Sequence, residues 1–157
     1  MGIREILQGD RIYFDTNIFI YAFEEYPEYI SLIKALFEAV DQGIYYVCTS
    51  ELTLAETLVK PLIDSKLDLV AIYQEAIQTT PFLAVIPVTR EILISAAGIR
   101  AKLGPQIRLP DAIHIASARL SGCDSFLTND KRLKAAQDPK VVLLDNLISR
   151  GSLGTGE

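Results

Sequence analysis

The chain alternates short apolar segments with longer segments in which apolar residues recur every three or four positions. Short runs rich in valine, isoleucine and tyrosine predict β-strands, whereas apolar residues three and four apart predict helices. The predicted strands are residues 11–15, 44–49, 83–88, 125–128 and 141–144. Helices are predicted after each of the first four strands, and the periodicity is clearest in residues 27–43, 67–77 and 89–103.

The predicted strands lack the polar alternation of a sheet with one solvated face. Apolar strands separated by helices are typical of a parallel sheet covered on both faces, so the pattern predicts an α/β fold. No linker long enough to separate two domains interrupts this pattern. We therefore expect a single domain over residues 1–149 and a disordered tail at residues 150–157, where small and polar residues predominate.

The amino-acid composition bears on the partners and the cellular compartment that we expect for the protein. Half of the 157 residues are hydrophobic, which suggests that a partner covers some apolar surface. The longest apolar run, FLAVIPV, is far shorter than the roughly 20 residues that cross a bilayer, so no membrane span is expected. Cys48 and Cys123 lie in apolar segments, and we expect them to be packed, reduced thiols of a cytoplasmic protein.

The net charge of −5 argues against binding to nucleic acid, because a negative protein is repelled by phosphate backbones. The charges are unevenly distributed along the chain, however. Residues 1–80 carry 5 basic and 13 acidic side chains, whereas residues 81–157 carry 10 basic and 7 acidic side chains. This asymmetry permits one basic face on an acidic protein.

Four acidic residues occur near the ends of strands or in the helices that adjoin them. Asp15 follows the first strand and Asp130 follows the fourth, while Glu56 and Asp111 lie in helices. In a parallel sheet of this class, ligands bind at the carboxyl ends of the strands, where the strand order reverses. We expect all four carboxylates at that edge. Three of them have a simpler explanation as helix caps or first-turn acids.

Glu56 is favoured over Glu51 because of the periodicity of its helix. Pro61 is predicted to end this helix, and its apolar residues form one broad arc with Glu56 at the margin. Thr53 and Thr57 are predicted on the opposite, solvated side. A carboxylate at the margin of the apolar arc can reach into a cleft, and the alternative is an ordinary surface glutamate.

Four carboxylates at one edge of a sheet would repel one another. At about 5 Å and an effective dielectric constant of about 20, each pair costs roughly 3 kcal/mol. The cluster must therefore protonate, spread apart or bind a cation. Oxygen ligands suit the hard ions Mg²⁺ and Mn²⁺, and the sequence has no cysteine–histidine cluster that would suit zinc.

Four segments, YFDTNIFIYAF, SELTLAE, LPDAIHIASA and FLTNDKRL, together resemble the PIN domain. The resemblance is to the VapC-type ribonuclease toxins of prokaryotic toxin–antitoxin pairs in particular, and it covers about residues 11–144. It implies a three-layer α/β/α sandwich with a central parallel sheet of five strands. The usual activity of the family is metal-dependent endonucleolytic cleavage of RNA. Its toxins commonly form homodimers and are silenced by a cognate antitoxin protein.

The resemblance also implies roles for individual residues. Asp15, Glu56, Asp111 and Asp130 would be the catalytic residues and would hold one or two Mg²⁺ or Mn²⁺ ions. The ions would activate water and neutralise charge on the phosphate. The residues expected to orient the carboxylates or that water are Thr16, Asn17 and Thr128.

Basic residues in the second half of the chain are candidates for contacts with the phosphates of the RNA. These candidates are Arg100, Lys102, Arg108, Lys131, Arg132 and Lys134. His114, the only histidine, lies one turn after Asp111, and we expect it behind the acids or at the surface rather than as a general base. The predicted helices within residues 17–42 and 65–79 are candidates for the protein interface.

Three other functions agree with parts of the sequence. A haloacid-dehalogenase-like phosphatase also places an aspartate after an apolar strand, but it needs an acid where this chain has Asn17. A response-regulator receiver needs a phospho-accepting aspartate after the third strand, and AVIPVTRE offers none. A catalytically inert PIN module would keep the fold and act by binding alone. Saturable Mn²⁺ binding separates a metal site from simple helix capping, and RNA cleavage separates an enzyme from a binding module.

Overall fold

The computed structural model describes residue 7 and residues 9–153, with side chains up to residue 148. Its centre is a sheet of five parallel strands in the order β3-β2-β1-β4-β5. The strands are β1 (Arg11–Phe14), β2 (Tyr46–Ser50), β3 (Leu83–Ile86), β4 (Ser125–Thr128) and β5 (Lys140–Leu143). Each coincides with a predicted strand to within two residues at either end, so the prediction of a parallel five-stranded sheet is confirmed.

Helices connect every pair of consecutive strands. The helices are α1 (Thr16–Phe23), α2 (Ile30–Asp41), α3 (Glu51–Ile63), α4 (Leu67–Ala76), α5 (Arg90–Leu103), α6 (Leu109–Leu120) and α7 (Leu144–Leu153). A 3-10 helix, η1 (Lys131–Ala136), connects β4 to β5. The helix that sequence periodicity predicts over residues 89–103 is α5, and Thr89 is its N-cap, as its side chain accepts a hydrogen bond from the Ile92 N–H.

Two separate hydrophobic cores cover the two faces of the sheet. Ile12 and Phe14 of β1 belong to one core, to which α1, α2 and α4 contribute. Tyr13, between them in sequence, belongs to the other core, together with residues of α5 and α6. Because neighbouring side chains of a strand point to opposite faces, a fully apolar strand requires helices on both sides. This arrangement is the predicted α/β/α sandwich.

β1 occupies the middle of the sheet and is buried along most of its length. It pairs with β2 on one side and with β4 on the other, so the strand order reverses at β1. The carboxyl edge at such a reversal is the position expected for a ligand.

The orientation of α3 differs from the sequence prediction. Thr53 and Thr57 are buried, whereas Val59 is 57% exposed, so the predicted apolar and polar sides are largely exchanged. The reason is local, because the Thr53 hydroxyl pairs with that of Thr49 at 2.8 Å and the Thr57 hydroxyl donates to the Leu54 carbonyl. Buried hydroxyls with such partners carry little penalty.

The predicted end of this helix at Pro61 is also wrong. α3 continues to Ile63 with Pro61 buried inside its last turn. A proline this close to the end of a helix removes a single hydrogen bond, and it does not end the helix at once.

Apolar side chains remain exposed where α3 ends and α4 begins. Val59, Leu62, Ile63 and Leu67 are between 55% and 75% exposed, and we call this set the α3–α4 apolar surface. Exposed apolar residues are normal when scattered, but a group on consecutive helices marks a possible contact surface.

Several smaller predictions concern the termini and the cysteines. Cys48 and Cys123 are both buried and free, as expected. α7 keeps helical backbone to Leu153, four residues into the predicted disordered tail, and residues 1–6, 8 and 154–157 of the predicted domain and tail lie outside the described residues. Across the described part of the chain, none of the helices has the length and apolar character that crossing a membrane requires.

Candidate active site at the carboxyl edge of the sheet

Asp15 lies at the carboxyl end of β1 and is only 8% exposed. Its Oδ1 accepts a hydrogen bond from the Thr16 N–H at 2.8 Å, so it is also the N-cap of α1. The cap explains one oxygen of this carboxylate. It does not explain why the other oxygen is held in a buried network with Thr128 at the end of the neighbouring strand β4.

Thr128, at the end of β4, provides that network. Its hydroxyl donates to Asp15 Oδ2 at 2.7 Å and accepts from the Asn17 amide at 3.3 Å. It also accepts from the Asp130 backbone N–H at 3.1 Å. Asp15, Asn17, Thr128 and Asp130 are therefore joined across the β1–β4 boundary, although more than 100 residues separate the two ends in sequence.

Glu56 reaches the same edge from the second turn of α3. Its Oε1 accepts hydrogen bonds from the Thr16 hydroxyl at 2.8 Å and from His114 Nε2 at 2.5 Å. His114 Nε2 is also 3.8 Å from Asp15 Oδ1, which places the imidazole between the two acids. Thr16 thus contacts Glu56 directly, and the helix margin predicted for Glu56 does face the crevice.

His114 is buried in α6 and is held from both sides. The Tyr13 hydroxyl lies 2.6 Å from its Nδ1, and Tyr13 itself is fully buried under the sheet edge. The neutral imidazole accepts from Tyr13 at Nδ1 and donates to Glu56 from Nε2, whereas the imidazolium donates at both nitrogens, so each nitrogen has a partner in either state. The surface position considered for this residue is therefore wrong, and its place behind the acids is observed.

Opposite charge shifts the pKa values of this pair in opposite directions. Burial alone would lower the pKa of His114, but the hydrogen bond to Glu56 and the charge of Asp15 outweigh it, and the pKa is raised. Burial alone would raise the pKa of Glu56, but the hydrogen bond and charge of His114 outweigh it, and the pKa is lowered. Both shifts favour the ionic form of the pair.

Arg132 joins the two remaining acids. Its Nε lies 3.0 Å and 3.1 Å from the two carboxylate oxygens of Asp130, and its Nη2 also bonds to Asp130 Oδ2. The same Nη2 is 3.5 Å from Asp111 Oδ2. Asp130 also caps η1, by accepting from the Arg132 N–H, and Asp111 accepts from the Arg108 N–H at the start of α6.

The electrostatics show that the acids share one region. Burial raises the pKa of Asp111, and the negative charges of Asp15 and Asp130 raise it further, against the effect of Arg132. The hydrogen bond from Arg132 lowers the pKa of Asp130. The repulsion expected from the sequence is thus present, and it is relieved in part by a cation that belongs to the protein.

The basic residues predicted to contact RNA are all exposed. Arg100 and Arg108 line the same groove, between α5 and the start of α6 and beside Leu109. Lys131 and Lys134 lie on η1, which follows Asp130, and Lys102 lies in the last turn of α5. Arg132 differs from the others, because its guanidinium is engaged with the two carboxylates.

The donor set suits a hard divalent cation, although the side chains do not yet surround one. Within residue 7 and residues 9–153, no three His, Cys, Asp or Glu side chains are arranged to hold a metal ion. The acids instead use His114, Thr16 and Arg132 as partners. All four acids offer carboxylate oxygens, and Asn17 Oδ1 is buried with no hydrogen-bond partner in the described part of the chain. Such oxygens are the ligands that Mg²⁺ and Mn²⁺ prefer.

Comparisons with known proteins agree with this fold. The family model described as "PIN domain" matches residues 12–139. The fold is similar to VapBC2 from Rickettsia felis, solved with a promoter DNA fragment, at a TM-score of 0.66, 17% identity and coverage of 85% of this chain and 98% of that one. A toxin–antitoxin complex from Klebsiella pneumoniae matches at a TM-score of 0.63 and 25% identity, with coverages of 85% and 97%.

A third structure, DNA-bound VapBC from Salmonella typhimurium, matches at a TM-score of 0.61 and 20% identity, covering 87% of this chain and 99% of that one. A search of curated protein sequences found no match. The structural similarity therefore extends over nearly the whole of each related chain. The match to the family model runs from β1 to β4 and includes the helices between them.

Proposed function

Because this chain belongs to the PIN domain family, we propose that it is a divalent-metal-dependent endoribonuclease that cleaves RNA phosphodiester bonds. The observation that carries the proposal is the convergence of Asp15, Glu56, Asp111 and Asp130 at the carboxyl edge of the sheet. The phosphatase alternative gains no support, since Asn17 and not an acid stands two residues after Asp15, and the receiver alternative gains none, since no aspartate follows β3 in AVIPVTRE.

In this proposal the four acids hold one or two Mg²⁺ or Mn²⁺ ions. A bound divalent ion makes water a better nucleophile at neutral pH and neutralises charge on the phosphate. The chain's own residues fix the acids in place. Thr128 holds Asp15 from the β4 side and itself accepts a hydrogen bond from the Asn17 amide, and Thr16 holds Glu56 from the α1 side.

RNA would approach along the basic surface beside the acids. Exposed lysine and arginine side chains contact phosphates without regard to sequence, which positions the strand across the site. Within the described part of the chain, five of the six candidates form no ion pair with the acids, so their side chains are available to contact phosphates. They are Arg100, Lys102, Arg108, Lys131 and Lys134.

The proposal extends to partners. We infer that the protein is the toxin of a toxin–antitoxin pair, with a cognate antitoxin protein as its inhibitor and a second copy of itself as a homodimer partner. The similarity to toxin–antitoxin complexes supports the first partner, and the α3–α4 apolar surface supports a protein contact of either kind. Elution of the purified chain as a monomer at micromolar concentration would contradict the homodimer.

The first test is cleavage of total cellular RNA by the purified protein with Mn²⁺ or Mg²⁺, and again with excess chelator. We expect discrete fragments that require the ion and that disappear in Asp15→Asn, because the amide loses the charge that binds the cation. Asp64→Asn, an exposed acid at the end of α3, is the matched control and should cleave like the wild type.

Mn²⁺ binding measured beside cleavage separates the alternatives. Ion binding without cleavage of any RNA would favour the inert PIN module. If the protein neither bound Mn²⁺ nor cleaved RNA, Asp15, Asp111 and Asp130 would be left with their roles at helix starts, and Glu56 with its pairing to His114. If Asp15→Asn cleaved as fast as the wild type, the proposed site would be wrong.

A further inference from the structure

Although the Arg132 side chain is exposed, its guanidinium is held by several hydrogen bonds in the acid cluster. Its Nε and Nη2 contact both carboxylate oxygens of Asp130, and Nη2 also reaches Asp111. Its Nη1 donates to the Gln106 carbonyl at 3.1 Å. Every nitrogen of the guanidinium therefore has a partner, and the side chain is still 39% exposed.

These contacts use the same oxygen atoms that a divalent cation would need. Both oxygens of Asp130 and one oxygen of Asp111 face the guanidinium. A cation bound by these acids would displace the guanidinium or lie beside its positive charge, and either change is unfavourable. The other partners of the acids are hydroxyls, which carry no charge, and the imidazole of His114, which can release its proton, whereas the guanidinium of Arg132 keeps its charge.

Arg132 also has room to move. It lies on η1, a short 3-10 helix, and its guanidinium is at the surface rather than locked in the core. A guanidinium that leaves a carboxylate has a second suitable partner in RNA phosphate, which it binds with the same forked geometry.

We propose that Arg132 is an internal counter-ion that occupies Asp111 and Asp130 in the absence of metal and that the divalent cation must displace. The inference rests on the proposed function, since it takes the acids as the ligands of the ion. Arg132 thereby sets the ion concentration at which the site fills, and it is a positioning residue for the two acids. This role differs from that of the other basic candidates, which form no ion pair with the acids in the described part of the chain.

The test is Mn²⁺ affinity in the absence of RNA, measured by calorimetry on the full chain at near-physiological salt. We expect Arg132→Gln to bind Mn²⁺ at least about 10-fold more tightly than the wild type, because the competing charge is gone. Lys134→Gln removes the same charge from the same 3-10 helix without a contact to the acids, and it should change the affinity by less than about 3-fold. Arg132→Lys should lie between the wild type and Arg132→Gln.

Circular dichroism and thermal unfolding of each variant verify that the fold is kept. If Arg132→Gln binds Mn²⁺ more weakly than the wild type, or gains no more affinity than Lys134→Gln, the counter-ion role is overturned. The nuclease proposal still stands in that case as long as the wild type binds Mn²⁺. If neither the wild type nor Arg132→Gln binds Mn²⁺, the metal site itself is wrong and the inference falls with it.

Discussion

The Glu56–His114 pair should contribute to stability in a way that depends strongly on pH. His114 Nε2 and Glu56 Oε1 are 2.5 Å apart, and the imidazole is buried while the carboxylate side chain is 36% exposed. Hydrogen bonds to charged groups contribute about 1.5 to 3 kcal/mol, and the exposure of Glu56 reduces this through solvent screening. We therefore expect Glu56→Gln to lower the free energy of unfolding by about 1 to 2 kcal/mol at pH 5.5.

The direction of the pH dependence follows from the two pKa shifts. The pKa of His114 is raised in the folded protein, so its contribution is complete below the ordinary value of about 6.5 and is lost as the pH rises through the folded pKa. The pKa of Glu56 is lowered, so its contribution is present above about 4.3 and is lost as the pH falls through the folded pKa. The effect of Glu56→Gln should be largest between about pH 4.3 and 6.5.

Urea unfolding with chelator at three pH values, about 3, 5.5 and 9, measures this effect without interference from metal binding. Glu75→Gln, an exposed acid of α4, is the control and should change the free energy of unfolding by less than about 0.5 kcal/mol at each pH. A cost of Glu56→Gln that is the same at all three pH values, or that is greatest at pH 9, would refute an ion pair between these residues.

Two further predictions concern stability alone. Thr128→Val should lower the free energy of unfolding in urea by about 1 to 3 kcal/mol, because Asp15 loses a buried hydrogen-bond donor. A loss of less than about 0.5 kcal/mol would contradict the hydrogen-bond network around Asp15. Gly9→Ala should cost at least about 2 kcal/mol, since its φ of +80° is left-handed and a Cβ would lie 2.3 Å from Asp124. Gly98→Ala, in the interior of α5 with nothing within 4 Å, should instead raise stability by about 0.5 to 1 kcal/mol, and equal effects of the two changes would refute the argument.

The strands and the edge to which the acids converge could be predicted because they depend on short-range patterns. An apolar strand followed by Asp15 specifies both a buried strand and a cap, and both are observed. The side of α3 that is buried could not be predicted in this way, because apolar periodicity assumes that the buried side is the apolar one. Thr53 and Thr57 are buried with nearby hydrogen-bond partners, the Thr49 hydroxyl and the Leu54 carbonyl, which apolar periodicity does not take into account.

The partners of the acids were harder to predict than the acids. Arg132 is two residues from Asp130, and its proximity in sequence suggested only a basic surface. Its contacts with Gln106 and Asp111 arise because the starts of α6 and η1 meet at the sheet edge. His114 carried a usable signal, since the only histidine lies one helical turn from Asp111, but its bond to Glu56 joins residues 58 positions apart.

The central position of β1 has a consequence for the order in which the molecule can be completed during synthesis. β1 precedes β4 in the chain and yet pairs with it, so Asp15 receives its Thr128 contact only after the chain has grown by more than 100 residues. An unfinished chain that ends before β4 has an open edge along β1 and lacks both Asp130 and Arg132. The acid cluster and its counter-ion therefore become complete together, once β4 and the start of η1 have been added.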